Sequence, residues 1–350
     1  MIADSVELQE VCRAFHASLG DLDRSIAVSA VADVEADIGR RVGMLARALG
    51  WRNALEYRLR PLDLPRAGPF PQRLHQHAGR MRLNGGAAAE LSMNVNALDV
   101  GNFSIFVGRL PSLLWTFGAV LERAPEIVAD VPIFPGDASF WDAVTFSGSH
   151  PEVCLIPDPD YFRTAGYAGF RDAMEDGRTP WESRRGEVVW RGSATGIKRY
   201  WPPTAPDDVR WLPRLELCAR ARSESIAGLC DIGFIQLVQL TETDRAMMEE
   251  GLSPLRRPPM EKELTAGFKA TIDIDGNSNT WSSGLYCSFL TGACVIKVGS
   301  EHDFRQWYYD RIEPWVHYAP VRADLSDFET VLRTVLSDDG LARRIGEAGR

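Results

Sequence analysis

The 350-residue sequence contains no run of about 18 or more apolar residues, so no membrane-spanning helix is expected. It has no CxxC pair, which removes the commonest zinc and dithiol signatures. It has no GxGxxG after an early strand, which argues against a dinucleotide-dependent dehydrogenase. It has no surplus of positive charge: 39 Lys and Arg against 48 Asp and Glu give a formal net charge of −9. Nucleic acid is therefore not expected as a general partner, because a phosphate backbone is met by a basic surface, although local basic pockets stay open. Internal repeats and low-complexity segments are also missing. The opening "MIADSVELQEVCRAF" is acidic and amphipathic and lacks the basic-then-apolar order of a secretory signal. The six cysteines, Cys12, Cys154, Cys218, Cys230, Cys287 and Cys294, mostly sit in apolar runs such as "GLCDIGFI". They read as reduced core thiols, which predicts a cytoplasmic protein.

What is present is 45% hydrophobic residues, enough for one large or two medium cores. Residues 1–60 read as helix, with apolar residues spaced at three and four through "ADIGRRVGMLARALGWRNALEYRL". The proline-rich "RPLDLPRAGPFPQ" reads as a loop. "FSIFVG" reads as a buried strand, Pro111 opens a helix, and "EIVADVPIF" and "VCLIPD" follow as strands. A charged bridge, "FRDAMEDGRTPWESRRG", precedes a second alternation. Its strands are "EVVWRG", "DIGFIQL", "FKATIDID" and "ACVIKVG", with helices between them and two closing helices after "WVHYAPV". Short strands alternating with helices predict parallel sheets, and the break near residue 165 predicts two of them in tandem. Ligands of such sheets bind beyond the carboxyl ends of the strands, where the motif-bearing turns of this chain fall.

Four stretches carry candidate chemistry. In "GEVVWRGSATGIKRYW" a strand runs into Arg191, Gly192 and Ser193, then Gly196, Lys198 and Arg199. Small residues let backbone N–H groups approach a phosphate and an arginine adds a bidentate contact; a plain strand-to-loop turn is the alternative. In "TIDIDGNSNTWSSGLYCSFLTGACVIKV" the polar run precedes a helix that Ser278, Asn279 or Thr280 would cap. That suits a nucleotide diphosphate or a sugar hydroxyl. "IDID" also spells a DxD that could hold a divalent metal on Asp273 and Asp275, although the alternation fits a half-buried strand better. In "WYYDRIEPWVHYAPVRADLSDFETVL" aromatics gather around Pro314 and His317, and Asp324 or Ser326 is the expected cap of the next helix. His317 reads as a ligand contact or as a satisfied core histidine. In "DVPIFPGDASFWD" Asp137 follows a Pro-Gly turn, as a structural turn residue or as a general base. Trp190, Trp281, Trp307 and Trp315 lie near these stretches, as core residues or as faces for a base or sugar.

"VVWRGSATGIKR", "IDIDGNSNTWSSGLYCSFLTGACVIKV" and "QWYYDRIEPWVHYAPVRADLSDF", in that order, resemble glycosyltransferase family 90. That family comprises capsule- and lipopolysaccharide-modifying sugar transferases and Rumi-like protein O-glucosyltransferases. The resemblance runs over roughly residues 150–350; the first 90 residues carry none. It implies an α/β GT-B-like fold, two Rossmann-like parallel-sheet domains facing across a cleft. The expected division is an acceptor-side domain over 1–165 with a helical N-terminal segment, a nucleotide-sugar-binding domain over 166–330 and a C-terminal helix over 331–350. The reaction implied is inverting and metal-independent: glucose or xylose passes from a UDP-sugar to a hydroxyl. No cofactor is expected beyond the donor, and the metal expectation is none.

The resemblance assigns the diphosphate to Arg191, Gly192, Ser193, Lys198 and Arg199 and to Asp275, Gly276, Asn277, Ser278 and Asn279. Two departures stand out. Rumi-like members carry an arginine after the serine of the second stretch, and "NSNTWSSGL" has none, so Asn277, Ser278 and Asn279 would have to do its work or Arg199 would have to reach across. Their catalytic Asp, in an Asn-x-x-Asp-x-Pro segment, aligns with Ile133, which leaves Asp137 as the expected base with Asp130 and Asp142 as rivals. The expected acceptor is a glycan or lipid-linked precursor of lipopolysaccharide or capsule at the inner face of the cell membrane, reached by peripheral contact. A protein O-glycosyltransferase, and a non-catalytic sugar-nucleotide or glycan-binding protein on a degenerate fold, are the alternatives.

Overall fold

The computed structural model describes residues 6–19, 31–52, 54–62, 78–86, 89–96, 103–177 and 179–350. Most of the proline-rich loop read at 60–72 lies outside them. The chain separates into two compact units, residues 1–166 with 305–307, and residues 167–304 with 308–350.

The first unit begins with helices α1 (Val6–Ser18) and α2 (Val31–Ala48). Val34, Ile38, Val42 and Leu45 of α2 are buried, one face of a 3.6-residue period. The expected continuation of this helix to residue 59 is wrong. Gly50, at φ 86°, takes the left-handed conformation that ends helices. Beyond it Tyr57 and Leu59 are buried with Glu56 and Arg58 facing out, the period of a strand. That strand is β1 (Leu55–Leu62), followed by β2 (Gly79–Asn84) and β3 (Ala89–Asn96). "FSIFVG" is also corrected: it forms helix α3 (Phe103–Gly108), leading into α4 (Leu110–Arg123), which has Pro111 in its first turn. A six-residue apolar run fits either state, and here the adjoining helix decides it. β4 (Val128–Phe134), β5 (Val144–Thr145), β6 (Cys154–Leu155) and α5 (Pro159–Arg163) complete the unit. Its sheet has the order β1-β3-β2-β4-β5-β6. It is not the all-parallel sheet expected, because β2 runs antiparallel to both β3 and β4.

The second unit starts with α6 (Ala168–Asp176), inside the stretch read as a bridge, and continues β7 (Arg185–Ala194), α7 (Pro213–Arg220), β8 (Cys230–Leu237), α8 (Glu242–Leu252), β9 (Phe268–Asp273), α9 (Trp281–Leu290), β10 (Cys294–Val298), β11 (Ala319–Val321), α10 (Phe328–Ser337) and α11 (Asp339–Gly349). Every strand pair is parallel, in the order β11-β10-β9-β7-β8. Helices cover the sheet, so its strands read as continuous apolar runs, and all five residues of β10 are buried. Trp211, Phe234, Ile272, Ile296, Phe328 and Leu332 lie in one core, with α10 and α11 packed against β10 and its neighbours.

The strand order fixes where a ligand belongs. From β7 the chain moves outward to β8, then returns past β7 to β9 and continues the other way. The reversal falls between β7 and β9. Loops leaving two adjacent strands in opposite directions open a crevice at their carboxyl ends, where ligands of open α/β sheets bind.

Among the described residues no helix is long and apolar enough to cross a membrane. All six cysteines are free thiols, four of them buried; Cys154 is exposed and Cys230 half-buried. Burial pushes the Cys218, Cys230 and Cys294 thiols up to about 12.

Candidate functional site

Two turns flank the crevice. The first leaves β7 through Thr195 and Gly196; Gly192 and Ser193, expected as the turn itself, still lie within the end of β7. The second leaves β9 through Asp275, Gly276, Asn277, Ser278 and Asn279. They touch. A Cβ placed on Gly276 would lie 2.9 Å from Thr195 Oγ1 and 2.9 Å from Arg214 Nη2, and one on Gly196 would lie 3.6 Å from the Gly276 oxygen. Glycine at 276 is thus a packing requirement. Gly276→Ala should cost about 1–3 kcal/mol, the range of overpacked sites. Chemical denaturation measures it; an unchanged midpoint would mean that the turns part freely.

The side chain joining the turns is Arg214, from the first turn of α7, which the sequence reading passed over. It is 9% exposed. Its guanidinium donates to Ser193 O at 3.0 Å and Thr195 Oγ1 at 2.8 Å on one side, and to Asp275 O at 2.8 Å and Ile274 O at 3.1 Å on the other. A sign of it was visible: an arginine at the positive end of a helix, in the apolar "LPRLELC", opposes the helix dipole and needs another reason to be there.

A second buried cation stands on β10. Lys297 is the register partner of Asp273 on β9 and donates to its Oδ2 at 3.1 Å. The Thr280 hydroxyl, at the N-cap position of α9, donates to Asp273 Oδ1. Asp273 thus serves an ion pair beneath the second turn. Among the described residues no group of three or more His, Cys, Asp or Glu is placed to hold a metal ion. Asp275 is half-buried, and its Oδ1 has no hydrogen-bond partner. Burial pushes its carboxyl up to about 6, against the pull of Lys297 and of a hydrogen bond from Ser300.

The three basic residues expected at the phosphates each have protein partners. Arg191 pins β7 to β8 by donating to the Asp231 carboxylate at 2.7 Å and to Asp231 O at 2.7 Å, and it also bonds Pro258 O. Lys198 lies 3.9 Å from the centre of the Trp201 ring and donates to Gln239 O. Arg199 is clasped by Glu216 and Glu301, which raise its already high pKa further against the effect of burial. Ser193 Oγ accepts from Gln236, and Asn277 Oδ1 accepts from Gln239. Ser278 and Asn279 are buried. Trp281, directly before the bulk of α9, sits at φ 48°, a conformation that costs a bulky residue about 1–3 kcal/mol and gathers at functional sites.

His317 closes a turn, its Nδ1 accepting from the Glu313 backbone N–H at 2.9 Å. The N-cap of α10 is Asp327, not Asp324 or Ser326; Asp324 instead accepts from the Ser326 N–H. In the first unit Asp137 accepts from Arg109 at 2.7 Å, and Arg109 also holds Pro135 O. Its rival Asp130 lies between Arg80 and Arg82, whose hydrogen bonds and charge hold its carboxyl below the usual range and weaken it as a base. Asp142 is exposed, lining a cavity of about 260 Å³ with Trp141, Arg60 and Arg80.

Residues 234–350 match the protein-family model described as glycosyl transferase family 90. The match supports a family 90 assignment for that segment. The family 90 segment includes the second turn, Lys297 and the 307–332 stretch; the first turn, Arg199 and Arg214 precede it. Rat protein O-glucosyltransferase 1 is 43% identical over 61 residues, 17% of this chain and 15% of that protein. The O-glucosyltransferase rumi of Drosophila pseudoobscura pseudoobscura is 34% identical over 64 residues, 18% of this chain and 15% of that protein. Uncharacterized protein 035R of Invertebrate iridescent virus 3 is 27% identical over 177 residues, 48% of this chain and 14% of that protein. The chain thus spans about a seventh of the length of these relatives.

Proposed function

We propose that this chain is a glycosyltransferase that moves a sugar, glucose before xylose, from a UDP-sugar to an acceptor hydroxyl with inversion. One observation carries the reading: two small-residue turns meet at the β7/β9 switch point over a buried arginine, the second of them within the family 90 segment. Backbone N–H groups of the turns meet the diphosphate, and the positive charge of Arg214 beneath them stabilises the leaving UDP. Asp137, oriented by Arg109, takes the acceptor proton. The GT-B arrangement, with acceptor on the first unit and donor on the second, belongs to this reading.

The named relatives favour a protein hydroxyl as acceptor beside the lipopolysaccharide or capsule precursor that the bacterial members of the family suggest. Incubation with UDP-glucose and with UDP-xylose, followed by detection of released UDP, tests the donor. Release from UDP-glucose, rising when a folded acceptor domain or a glycan precursor is added, is the expected result. Silence with every UDP-sugar would leave the non-catalytic binding protein as the better account.

A further inference from the structure

The floor of the switch-point crevice holds a cation whose direct partners are all uncharged. Arg214 donates four hydrogen bonds, to three backbone carbonyls and one threonine hydroxyl, and no carboxylate is bonded to it. Arg199 and Arg191 differ, since each bonds a carboxylate directly. The acceptors of Arg214 lie on two different segments: Ser193 and Thr195 at the end of β7 and just past it, and Ile274 and Asp275 just past β9. Only a rigid planar fork meets four acceptors in this way; an ammonium presents its donors from one point.

We infer that Arg214 is the positioning residue of the donor site: its fork sets the spacing of the two turns, so that their backbone N–H groups converge on one diphosphate, and its charge favours that anion. This rests on the assignment of the crevice to a nucleoside diphosphate. Three facts support the spacing role. The turns contact each other beside the guanidinium, with Gly276 where an added side chain would meet both Arg214 and Thr195. Ser193 and Asp275, which the family resemblance assigns to the donor, both give their carbonyls to it. Trp190 brings its ring to 5.7 Å from the guanidinium carbon, which limits the arginine's other placements.

The test compares UDP with uridine, which lacks the phosphates, on the full chain. Wild-type protein is first titrated with UDP. Failure to bind would remove the donor-site reading and this inference with it, whatever the variants do. Given wild-type binding, Arg214→Lys, which keeps the charge but not the fork, should weaken UDP by about tenfold or more, the scale of lost charged hydrogen bonds. Uridine affinity should stay within about twofold, since a spacing effect acts on the phosphates alone. Thr195→Val removes one acceptor of the fork and guards against misfolding of the arginine variant; it should weaken UDP by about threefold, again without moving uridine. Unchanged UDP affinity in both variants would overturn the inference while leaving the donor site standing. Equal losses for UDP and uridine would also overturn it, because they would mean general damage to the fold.

Discussion

Lys297→Met should destabilise the protein by about 3–5 kcal/mol, read as a lowered midpoint in chemical denaturation. The side chains of Asp273 and Lys297 are 1% and 9% exposed, facing each other across β9 and β10. Removing the ammonium strands a carboxylate that no water reaches. The desolvation cost of both charges is already present in the native protein, so replacing both partners should be milder than replacing one. Asp273→Leu combined with Lys297→Met should recover more than half of the single-variant loss. A single variant within about 1 kcal/mol of wild type would mean that the pair contributes little, in line with the weak end of ion-pair measurements. The pair bears on the proposed donor site because Thr280, at the start of α9, hangs on the same carboxylate, and the turn from Asp275 to Asn279 lies between them.

Asp137→Asn should lower transfer by about a hundredfold or more, the usual cost of losing a general base. Asparagine keeps the shape and an oxygen for Arg109 but cannot take a proton. UDP affinity should therefore stay within about twofold, so the loss appears in kcat. Asp142→Asn is the control, with an expected effect below about threefold for an exposed carboxylate outside the chemistry. If Asp137→Asn kept most of its rate and Asp142→Asn did not, the base would be Asp142.

The second unit was legible in sequence because its strands are buried on both faces. "EVVWRG", "DIGFIQL", "FKATIDID" and "ACVIKVG" each stand as apolar runs between helical periods, and each is a strand of the parallel sheet. The first unit was less so. Leu55, Tyr57 and Leu59 are spaced by two, but they follow a helix whose own apolar spacing masks the change at Gly50. The antiparallel strand β2 carries only Met81 and Leu83 inward, too short a pattern to stand out. At the candidate site Gly192 and Ser193, read as a turn, lie within β7, but the turn after β9 was readable because glycine, serine and asparagine cluster where that strand ends. The cations were not. Arg191, Lys198 and Arg199 stand beside the first turn in sequence, yet their side chains are engaged by Asp231, Trp201 and two glutamates. The buried cations beside the second turn, Arg214 and Lys297, come from a helix and a strand that read as ordinary core, because proximity there is made by the strand order.

The most direct measurement is a crystal structure with UDP bound. The account predicts a diphosphate over Gly192–Gly196 and Asp275–Asn279, hydrogen-bonded to their backbone N–H groups, with Arg214 still spanning both turns beneath it. UDP bound away from the β7/β9 crevice, or a diphosphate held by Arg191 or Lys198 with the two turns untouched, would contradict it.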